Sequence, residues 1–314
     1  MTNSSAIAVG GENLIDYMTR DGEVTALPGG SPFNVAMALG RQGANVHYVS
    51  PISTDAWGDD LAKTLEGSDV ILASARVDAP TTMARVTVTD GIPDYLFERE
   101  GTAERAVTVE SLAATLPDDL KALHTGSLAV SEGDDAAAWE TTCANTYQAG
   151  TLVSLDPNVR LSVIQDSDSY RDRVFRIMTA VHLMKFSDED LEGLYPDATQ
   201  ADALEKIREQ TSAILLVMTK GPDGACAWMG DVFVEIDAPP VPNLIDTVGA
   251  GDTFMATLLA GLDRRNALTP DAIGGLSEAD VTALLQEAAM AAAINCGRAG
   301  CNPPTLDELK SALN

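Results

Sequence analysis

The sequence predicts a three-layer α/β fold, in which a mainly parallel β-sheet lies between two layers of helices. The first observation is that apolar runs and helical segments alternate along the chain, which is the pattern of consecutive β-α-β units. The second is that the apolar runs at residues 6–10 and 212–221 lack polar alternation, as strands buried on both faces do. The third is the composition, because 45% apolar but only 5% aromatic residues suit a soluble α/β enzyme.

Length and composition predict one cooperative unit over residues 1–314, without repeats, linkers or low-complexity segments. No apolar run approaches the roughly 18 residues of a membrane span, and residues 1–5 contain no basic signal-peptide region. Four cysteines without Cys-x-x-Cys spacing are expected in a reduced, cytoplasmic protein. With three scattered histidines, we expect no transition-metal site.

The formal net charge of −27 argues against nucleic acid or an anionic membrane as a partner. An anionic ligand would be bound against this overall field. We therefore expect the basic residues of any anion site to be few and specifically placed.

Two features of the N-terminal region are candidate ligand contacts. Asp16 lies just beyond the predicted strand at residues 6–10, where open α/β sheets bind ligands, although a surface turn is the alternative. Gly29 and Gly30 precede a predicted helix and let the backbone approach a ligand closely. Asn34 is expected one turn inside that helix.

Residues 82–100 alternate in side-chain character around Asp90 and Gly91, which predicts a β-hairpin. One strand face of this hairpin carries three residues that are candidates to close over a ligand: Tyr95, Phe97 and Arg99. For Arg99 alone, a solvated strand charge is the alternative interpretation.

The middle of the chain continues the alternation. Helices and strands are predicted in turn at residues 109–116, 124–130, 136–149 and 151–156. Pro157 disfavours helix at the end of the last of these strands. Asn158 and Arg160 are therefore expected in a turn at the sheet edge, with their side chains in the cleft.

The C-terminal half repeats the pattern. A strand at residues 182–187 places Lys185 near its end, and Ser187 is predicted to cap a helix at 188–194. The strand at 212–221 leads into a loop in which Gly221 and Gly224 provide turns that a ligand can approach closely. The remaining predictions are a hairpin over 225–236, a helix at 281–296 and a capping box at 305–308 before a last helix.

The chemistry is concentrated in residues 246–254, a loop of small residues that runs into a helix predicted to end near Gly261. Free N–H groups and the positive end of the helix dipole suit phosphate oxygens, and no bulky side chain blocks Gly249, Ala250 or Gly251. A carboxylate there repels an anion, so Asp252 is a candidate general base that takes a proton from an attacking hydroxyl. The alternative is an aspartate that only complements the helix dipole.

Residues 246–254 resemble the C-terminal signature of the PfkB/ribokinase family of sugar and nucleoside kinases, and residues 29–43 resemble its N-terminal signature. The resemblance covers nearly the whole chain. It implies a ribokinase-like core with a small β lid, built from residues of about 12–28 and 80–105, that covers the sugar. Such a lid would exclude water, which competes as phosphoryl acceptor.

The resemblance also implies roles for individual residues. Sugar contacts would come from Asp16, Gly29, Gly30, Asn34, Tyr95, Phe97, Arg99, Asn158 and Arg160. Nucleotide contacts would come from Lys185, Asp190, Thr219, Gly221 and Gly224. The family's Asn-x-x-Glu motif is Ser-Asp-Glu-Asp at residues 187–190, where Asp190 would position a Mg²⁺-bound water unless it only caps the helix. A monovalent cation such as K⁺ would lie near Asp246 and Val248.

The implied activity is ATP- and Mg²⁺-dependent phosphorylation of a sugar hydroxyl. Residues 156–160, 185–190 and 300–304 resemble fructokinases most closely. A 2-keto-3-deoxygluconate kinase stays open, because Arg99 and Arg160 could bind its acidic substrate, and so does a nucleoside or aminoimidazole riboside kinase. The alternative outside the enzymes is a catalytically silent sugar or nucleotide sensor, but such a protein should have lost Asp252. An exposed lid edge would allow a homodimer.

Overall fold

A mainly parallel sheet of nine strands forms the middle layer of the described protein. The computed structural model describes residues 6–20, 23–89 and 92–314, with the side chains of 18–20, 23, 86–89 and 92–95 outside the description. The strands are β1 (Ala6–Val9), β2 (Leu14–Arg20), β3 (Glu23–Gly29), β4 (Asn45–Tyr48), β5 (Val70–Leu72), β6 (Thr82–Thr89), β7 (Ile92–Glu98), β8 (Leu120–Gly126), β9 (Leu152–Asp156), β10 (Leu183–Ser187), β11 (Leu215–Thr219), β12 (Ala225–Met229) and β13 (Val232–Ile236).

Helices cover both faces of this sheet. They are α1 (Ser31–Arg41), α2 (Ala56–Glu66), α3 (Val109–Thr115), α4 (Gly133–Gln148), α5 (Ser167–Met178), α6 (Asp188–Leu194), α7 (Gln200–Gln210), α8 (Ala250–Arg264), α9 (Pro270–Gly274), α10 (Glu278–Cys296) and α11 (Leu306–Leu313). None of those in the described ranges is long and apolar enough to cross a membrane.

The order of the large sheet is β13-β12-β11-β10-β9-β8-β1-β4-β5. From β11 to β5 every pairing is parallel, and the hairpin β12–β13 adds two antiparallel strands at one edge. The carboxyl ends of the parallel strands therefore lie along one edge, where the loops after β1, β8, β9 and β10 come together.

Two apolar layers pack against the two faces and confirm the three-layer prediction. Successive residues of β1 point to opposite faces, because Ile7 and Val9 join one cluster and Ala8 joins the other. One cluster contains side chains of α1, α2, α8 and α10. The other contains side chains of α3, α4, α5, α6 and α7, including Trp139 at 1% exposure. Burying each large apolar side chain contributes roughly 1.5–3 kcal/mol.

A second, four-stranded sheet has the order β3-β2-β6-β7. The pairs β2–β3 and β6–β7 are antiparallel, and β2–β6 is parallel. The predicted hairpin over 82–100 is therefore confirmed, while its turn residues Asp90 and Gly91 lie outside the described residues.

Two boundaries differ from the sequence prediction. The strand expected at 124–130 ends at Gly126, because Ser127 adopts a left-handed φ of 54° and starts a 3-10 turn through Val130. Helix α8 continues past Gly261 to Arg264. Gly261 does not end the helix but allows α8 to pack closely against α10, since a Cβ there would lie 2.5 Å from Cδ2 of Leu284.

Candidate active site

The N-terminus of α8 carries an open set of backbone donors. Gly249 caps the helix with φ 72°, and a Cβ at this position would lie 2.3 Å from Sγ of Cys301. The N–H of Ala250 donates to the Thr247 carbonyl at 3.2 Å, whereas those of Gly249, Gly251 and Asp252 have no acceptor in the described part of the chain. Three donors at the positive end of a 15-residue helix form an arrangement suited to an anion.

Asp252 is buried beside these donors, at 8% exposure. Its Oδ1 accepts a 2.6 Å hydrogen bond from the hydroxyl of Ser31, and its Oδ2 accepts a 2.8 Å bond from Nδ2 of Asn34. Burial raises the pKa of Asp252, and the two hydrogen bonds together with the charges of Lys185 and Arg160 oppose that rise. A carboxylate with a raised pKa is a stronger base, as proton abstraction near neutral pH requires.

Asp16 and Asn34 supply further polar atoms to the same place. Burial, and then the charge of Asp252, raise the pKa of Asp16 to about 6. The Oδ1 atom of Asn34 is buried and has no partner among the described groups, so it can accept a hydroxyl. A Cβ on Gly29 would lie 2.3 Å from Oδ2 of Asp16, and one on Gly30 would lie 2.5 Å from the Glu12 carbonyl. The two glycines thus allow the backbone to pack closely around these side chains.

Glu12 and Ser31 belong to the site, although the sequence analysis did not single them out. Glu12 is 1% exposed and accepts hydrogen bonds from the N–H groups of Ser31 at 3.1 Å and Ala129 at 3.2 Å. Burial raises the pKa of Glu12 to about 7, against the opposing hydrogen bond of Ser127 and the charge of Arg99. Its position after β1, the criterion that identified Asp16, could have identified it too.

Lys185 lies beneath the first turn of α8. Its ammonium forms a 2.8 Å ion pair with Asp156, and both side chains are almost fully buried. A Cβ on Gly251 would lie 3.1 Å from Nζ of Lys185. Burial opposes the charge of Lys185, but the carboxylates of Asp156, Asp190 and Asp252 outweigh it and raise its pKa. Lys185 and its partner Asp156 on the neighbouring strand therefore form a fixed ion pair beneath the backbone donors.

Asn158 and Arg160 follow β9, as predicted. Asn158 has φ 40° and donates through Nδ2 to Oγ of Ser127, which itself has φ 54°, at 3.3 Å. Left-handed conformations of such residues cost about 1–3 kcal/mol each and concentrate at functional sites. Arg160 is exposed, and within the described residues no carboxylate pairs with it. The charge of Arg160 lowers the pKa of Asp252, so the guanidinium lies close enough to act on that carboxylate. Arg160 is therefore available to bind an anionic group of a ligand beside Asp252.

Asp190 has a structural role that needs no metal. Its Oδ1 accepts a 2.6 Å hydrogen bond from the Val159 N–H, and its Oδ2 accepts from the Ser187 N–H at 2.8 Å. Ser187 caps α6 and forms a capping box with Asp190, which confirms the predicted cap. The described residues contain no cluster of three His, Cys, Asp or Glu side chains that could hold a metal ion. The role of Asp190 toward Mg²⁺ stays a prediction.

The loop after β11 combines open and packed glycines. Gly221 has φ 53° and a Cβ there would contact nothing within 4 Å, so a ligand can approach its backbone. Gly224 has φ 92°, and its Cβ would lie 2.0 Å from the Ile236 carbonyl, so packing against β13 already requires a glycine. The Thr219 hydroxyl donates to the Phe186 carbonyl at 3.5 Å. Their contacts with a nucleotide stay predictions.

Arg99 is buried and forms ion pairs within the chain. It lies just past the end of β7 at 9% exposure, and its guanidinium forms a 2.9 Å ion pair with Glu104 and a 3.8 Å ion pair with Asp135. Its charge is thus already paired with carboxylates of the chain, and the role of Arg99 as a lid residue over the substrate stays a prediction. Phe97 packs near Leu14, and the side chain of Tyr95 lies outside the described part.

The oxygen atoms predicted for a monovalent cation already accept hydrogen bonds. Asp246 accepts from the N–H groups of Val248 at 3.0 Å and Gly300 at 2.9 Å. The Val248 carbonyl accepts from Nδ2 of Asn295 at 2.8 Å. These contacts help to fix the loop before Gly249, and a monovalent cation near Asp246 and Val248 stays a prediction.

Comparisons with known proteins agree with this geometry. The family model described as "pfkB family carbohydrate kinase" matches residues 8–308. A fructokinase of Rhizobium leguminosarum bv. trifolii is 38% identical over 283 residues, which cover 85% of this chain and 83% of that protein. A fructokinase of Klebsiella pneumoniae is 28% identical over 271 residues, with 83% and 87% covered.

Two solved structures show the same fold. A Xylella fastidiosa fructokinase with bound ATP superposes with a TM-score of 0.89 at 24% identity, over 99% of this chain and 98% of that chain. A Vibrio cholerae O395 fructokinase with fructose, ADP and calcium superposes with a TM-score of 0.84 at 23% identity, over 99% of each chain.

Proposed function

The chain belongs to the pfkB family of carbohydrate kinases, and we propose that it is an ATP-dependent fructokinase. It transfers the γ-phosphoryl group of ATP to a hydroxyl of fructose. The observation that carries this proposal is the buried Asp252 carboxylate, which lies beside three open N–H donors and in contact with Asn34. The fructokinase at 38% identity supports the choice of sugar.

Asp252 acts as the general base. It takes the proton of the attacking hydroxyl, whose oxygen bonds to the γ-phosphorus while the bond from that phosphorus to the leaving ADP oxygen breaks. The N–H groups of Gly249, Gly251 and Asp252 donate to the transferring phosphoryl group. Arg160 at the sheet edge adds positive charge, which matters in a chain with a net charge of −27, whereas the charge of Lys185 below this turn is paired with Asp156.

Asp16 and Asn34 bind sugar hydroxyls. The unpartnered Oδ1 of Asn34 gains a donor when a hydroxyl arrives, and Asp16 contributes a carboxylate acceptor. A buried acceptor left without a donor costs about 1–3 kcal/mol, so a substrate that lacks the matching hydroxyl is disfavoured roughly tenfold to a hundredfold. The small sheet is proposed as the lid that excludes water from this contact.

Mg²⁺, when bound, neutralises charge on the nucleotide phosphates. The phosphates would supply most of its ligands, and Asp190 would hold it through water with lone pairs that its hydrogen bonds leave free. The oxygen atoms of Asp246 and Val248 each accept one hydrogen bond and keep further lone pairs for a monovalent cation such as K⁺, to which we assign no step.

A 2-keto-3-deoxygluconate kinase is the second candidate. Its acidic substrate needs a free arginine. Arg99 is committed to Glu104, but Arg160 has no ion-pair partner among the described residues and keeps this candidate open.

The test is kcat/KM with ATP for fructose, ribose, 2-keto-3-deoxygluconate, adenosine and an aminoimidazole riboside. Fructose should give the highest value, turnover should stop in excess chelator, and Mg²⁺ should restore it. A higher value for the keto-deoxy acid, lost in Arg160→Ala, would favour the second candidate. Phosphorylation of none of the five would contradict both candidates.

We further propose a cytoplasmic homodimer that pairs through the small sheet. Edge strands β3 and β7 carry two exposed apolar side chains on one face of the small sheet: Val24 and Leu96. A second copy would cover both these side chains and an unpaired strand edge. The four cysteines are free, as a reducing compartment predicts. Light scattering that shows a monomer, or a dimer unaffected by Leu96→Glu, would contradict the pairing.

A further inference from the structure

Ser31 connects the general base to the start of helix α1. Its hydroxyl donates a 2.6 Å hydrogen bond to Oδ1 of Asp252, and both residues are buried. Its backbone N–H donates to Oε1 of Glu12 at 3.1 Å, and the other carboxylate oxygen of Glu12 accepts from the Ala129 N–H at 3.2 Å. Glu12 thus fixes the backbone from which the serine hydroxyl projects.

The two side chains that donate to Asp252 are not equivalent. Asn34 donates through Nδ2 and keeps a buried Oδ1 that has no partner in the described protein and can bind a sugar hydroxyl. The side chain of Ser31 has one polar atom, and its proton is directed to the base. Asn34 can therefore contact substrate, whereas the described contact of Ser31 is with Asp252.

The Ser31 hydrogen bond has two consequences for Asp252. It favours the ionised carboxylate over the protonated form, in opposition to burial. It also fixes the carboxylate plane, because Oδ1 and Oδ2 are held by side chains one turn apart on α1. An ionised, oriented carboxylate is the form that can accept the proton of an attacking hydroxyl.

We infer that Ser31 is a positioning residue for phosphoryl transfer, which keeps Asp252 ionised and directed toward the acceptor hydroxyl. The inference rests on the proposed function for the identity of that hydroxyl. In the transfer step the hydroxyl proton passes to Asp252 as the new bond to phosphorus forms and the bond to ADP breaks. Ser31 keeps its own proton and acts through Asp252.

Kinetics of Ser31→Ala and Ser31→Thr test this role. Loss of a hydrogen bond to a charged group should lower kcat of the alanine variant about tenfold to a hundredfold, with a smaller change in KM. The acidic limb of its kcat profile should move to higher pH. Ser31→Thr, which keeps the hydroxyl, should restore most of the turnover and the wild-type limb. An alanine variant with kcat within about twofold of wild type and an unmoved limb would overturn the inference.

A double-mutant cycle asks whether Ser31 acts through the base. In an Asp252→Asn background, Ser31→Ala should lower kcat by less than about twofold, because the charged acceptor is already gone. The same loss in both backgrounds would show that Ser31 acts independently of Asp252, and the inference would fail.

A ¹³C NMR titration of the Asp252 carboxyl, without substrates, separates the inference from the proposed function. The pKa of Asp252 should be higher in Ser31→Ala than in wild type. An unchanged pKa defeats the inference even if fructose is phosphorylated. A raised pKa in a protein that phosphorylates no sugar defeats only the proposed function. If the alanine variant does not fold, Ser31→Thr is titrated, and an Asp252 pKa clearly above the wild-type value counts against the inference.

Discussion

The side-chain amide of Asn34 donates a 2.8 Å hydrogen bond to Oδ2 of Asp252, across 218 positions of the sequence. This contact joins the beginnings of helices α1 and α8, so the proposed sugar contact and the proposed base lie at one site. The Oδ1 atom of Asn34 remains buried and unpartnered among the described groups. We propose that a sugar hydroxyl satisfies this acceptor and is thereby placed beside Asp252.

The activity should decrease as the pH is lowered below neutrality. The pKa of Asp16 is raised to about 6 and that of Asp252 is also raised. Asp252 must be ionised to take the hydroxyl proton, and Asp16 accepts hydrogen bonds from sugar hydroxyls more strongly as a carboxylate. kcat/KM for fructose should therefore be constant above these pKa values and decline as pH falls through about 6. Since the coupling between the two charges is mutual, Asp16→Asn should move the remaining limb to lower pH. A profile that stays flat down to the ordinary carboxyl range, with the fold intact, would contradict this assignment.

Removing Lys185 should destabilise the fold through Asp156. Lys185→Met leaves a buried carboxylate without its 2.8 Å partner, and breaking such a pair costs about 3–5 kcal/mol. The double variant Lys185→Met/Asp156→Asn removes the unpaired charge and should recover much of that loss. Urea unfolding of both variants measures the difference. A double variant no more stable than the single one would show that the pair is not the source of the effect.

Gly249→Ala should disable the anion site. The added Cβ would meet Sγ of Cys301 at 2.3 Å and would occupy a left-handed conformation, so the loop must shift. We expect kcat to fall at least about tenfold, because a displaced donor loses its alignment with the phosphoryl group. Gly150→Ala is the matched control, with φ 78° and nothing within 4 Å of its Cβ, remote from the site. Equal kcat values for the two variants would argue against the anion site.

Arg99→Ala should affect stability more than substrate choice. It leaves Glu104 buried without its ion-pair partner, a loss of about 3–5 kcal/mol in unfolding free energy, whereas Asp135 keeps its 2.8 Å pair with Arg105. The control is Arg85→Ala, since the Arg85–Glu98 pair is substantially exposed and such pairs contribute about 0–1 kcal/mol. Thermal and urea unfolding compare the variants. An Arg99→Ala protein as stable as Arg85→Ala, but with a changed ratio of keto-deoxy acid to fructose turnover, would support the lid role.

Local signals in the sequence predicted the elements that local interactions determine. Ser187 was predicted as a helix cap from the polar residue before a helical segment, and the structure confirms its capping box with Asp190. The hairpin over 82–100 followed from alternation. The helix end predicted near Gly261 was wrong. A glycine is needed there because it packs closely against Leu284, a contact that no local sequence pattern contains.

The side-chain partners of the site could not be predicted in this way. Ser31 reaches Asp252 across 221 positions, and Asp156 reaches Lys185 from a neighbouring strand. The alternation of side-chain character placed Arg99 on one face of a strand. In the structure β7 ends one residue before Arg99, and the guanidinium forms an ion pair with Glu104. Strand order and loop positions determine such pairings, and a single sequence without its fold does not specify them.

The most direct test of the account is the turnover of Asp252→Asn with saturating fructose, ATP and Mg²⁺. A positioned general base supplies about 10²–10⁴-fold, so kcat should fall by that factor while the thermal melt and ATP binding stay close to wild type. This result would assign proton abstraction to Asp252. Turnover within about threefold of wild type would contradict the central claim that this carboxylate is the base of a sugar kinase.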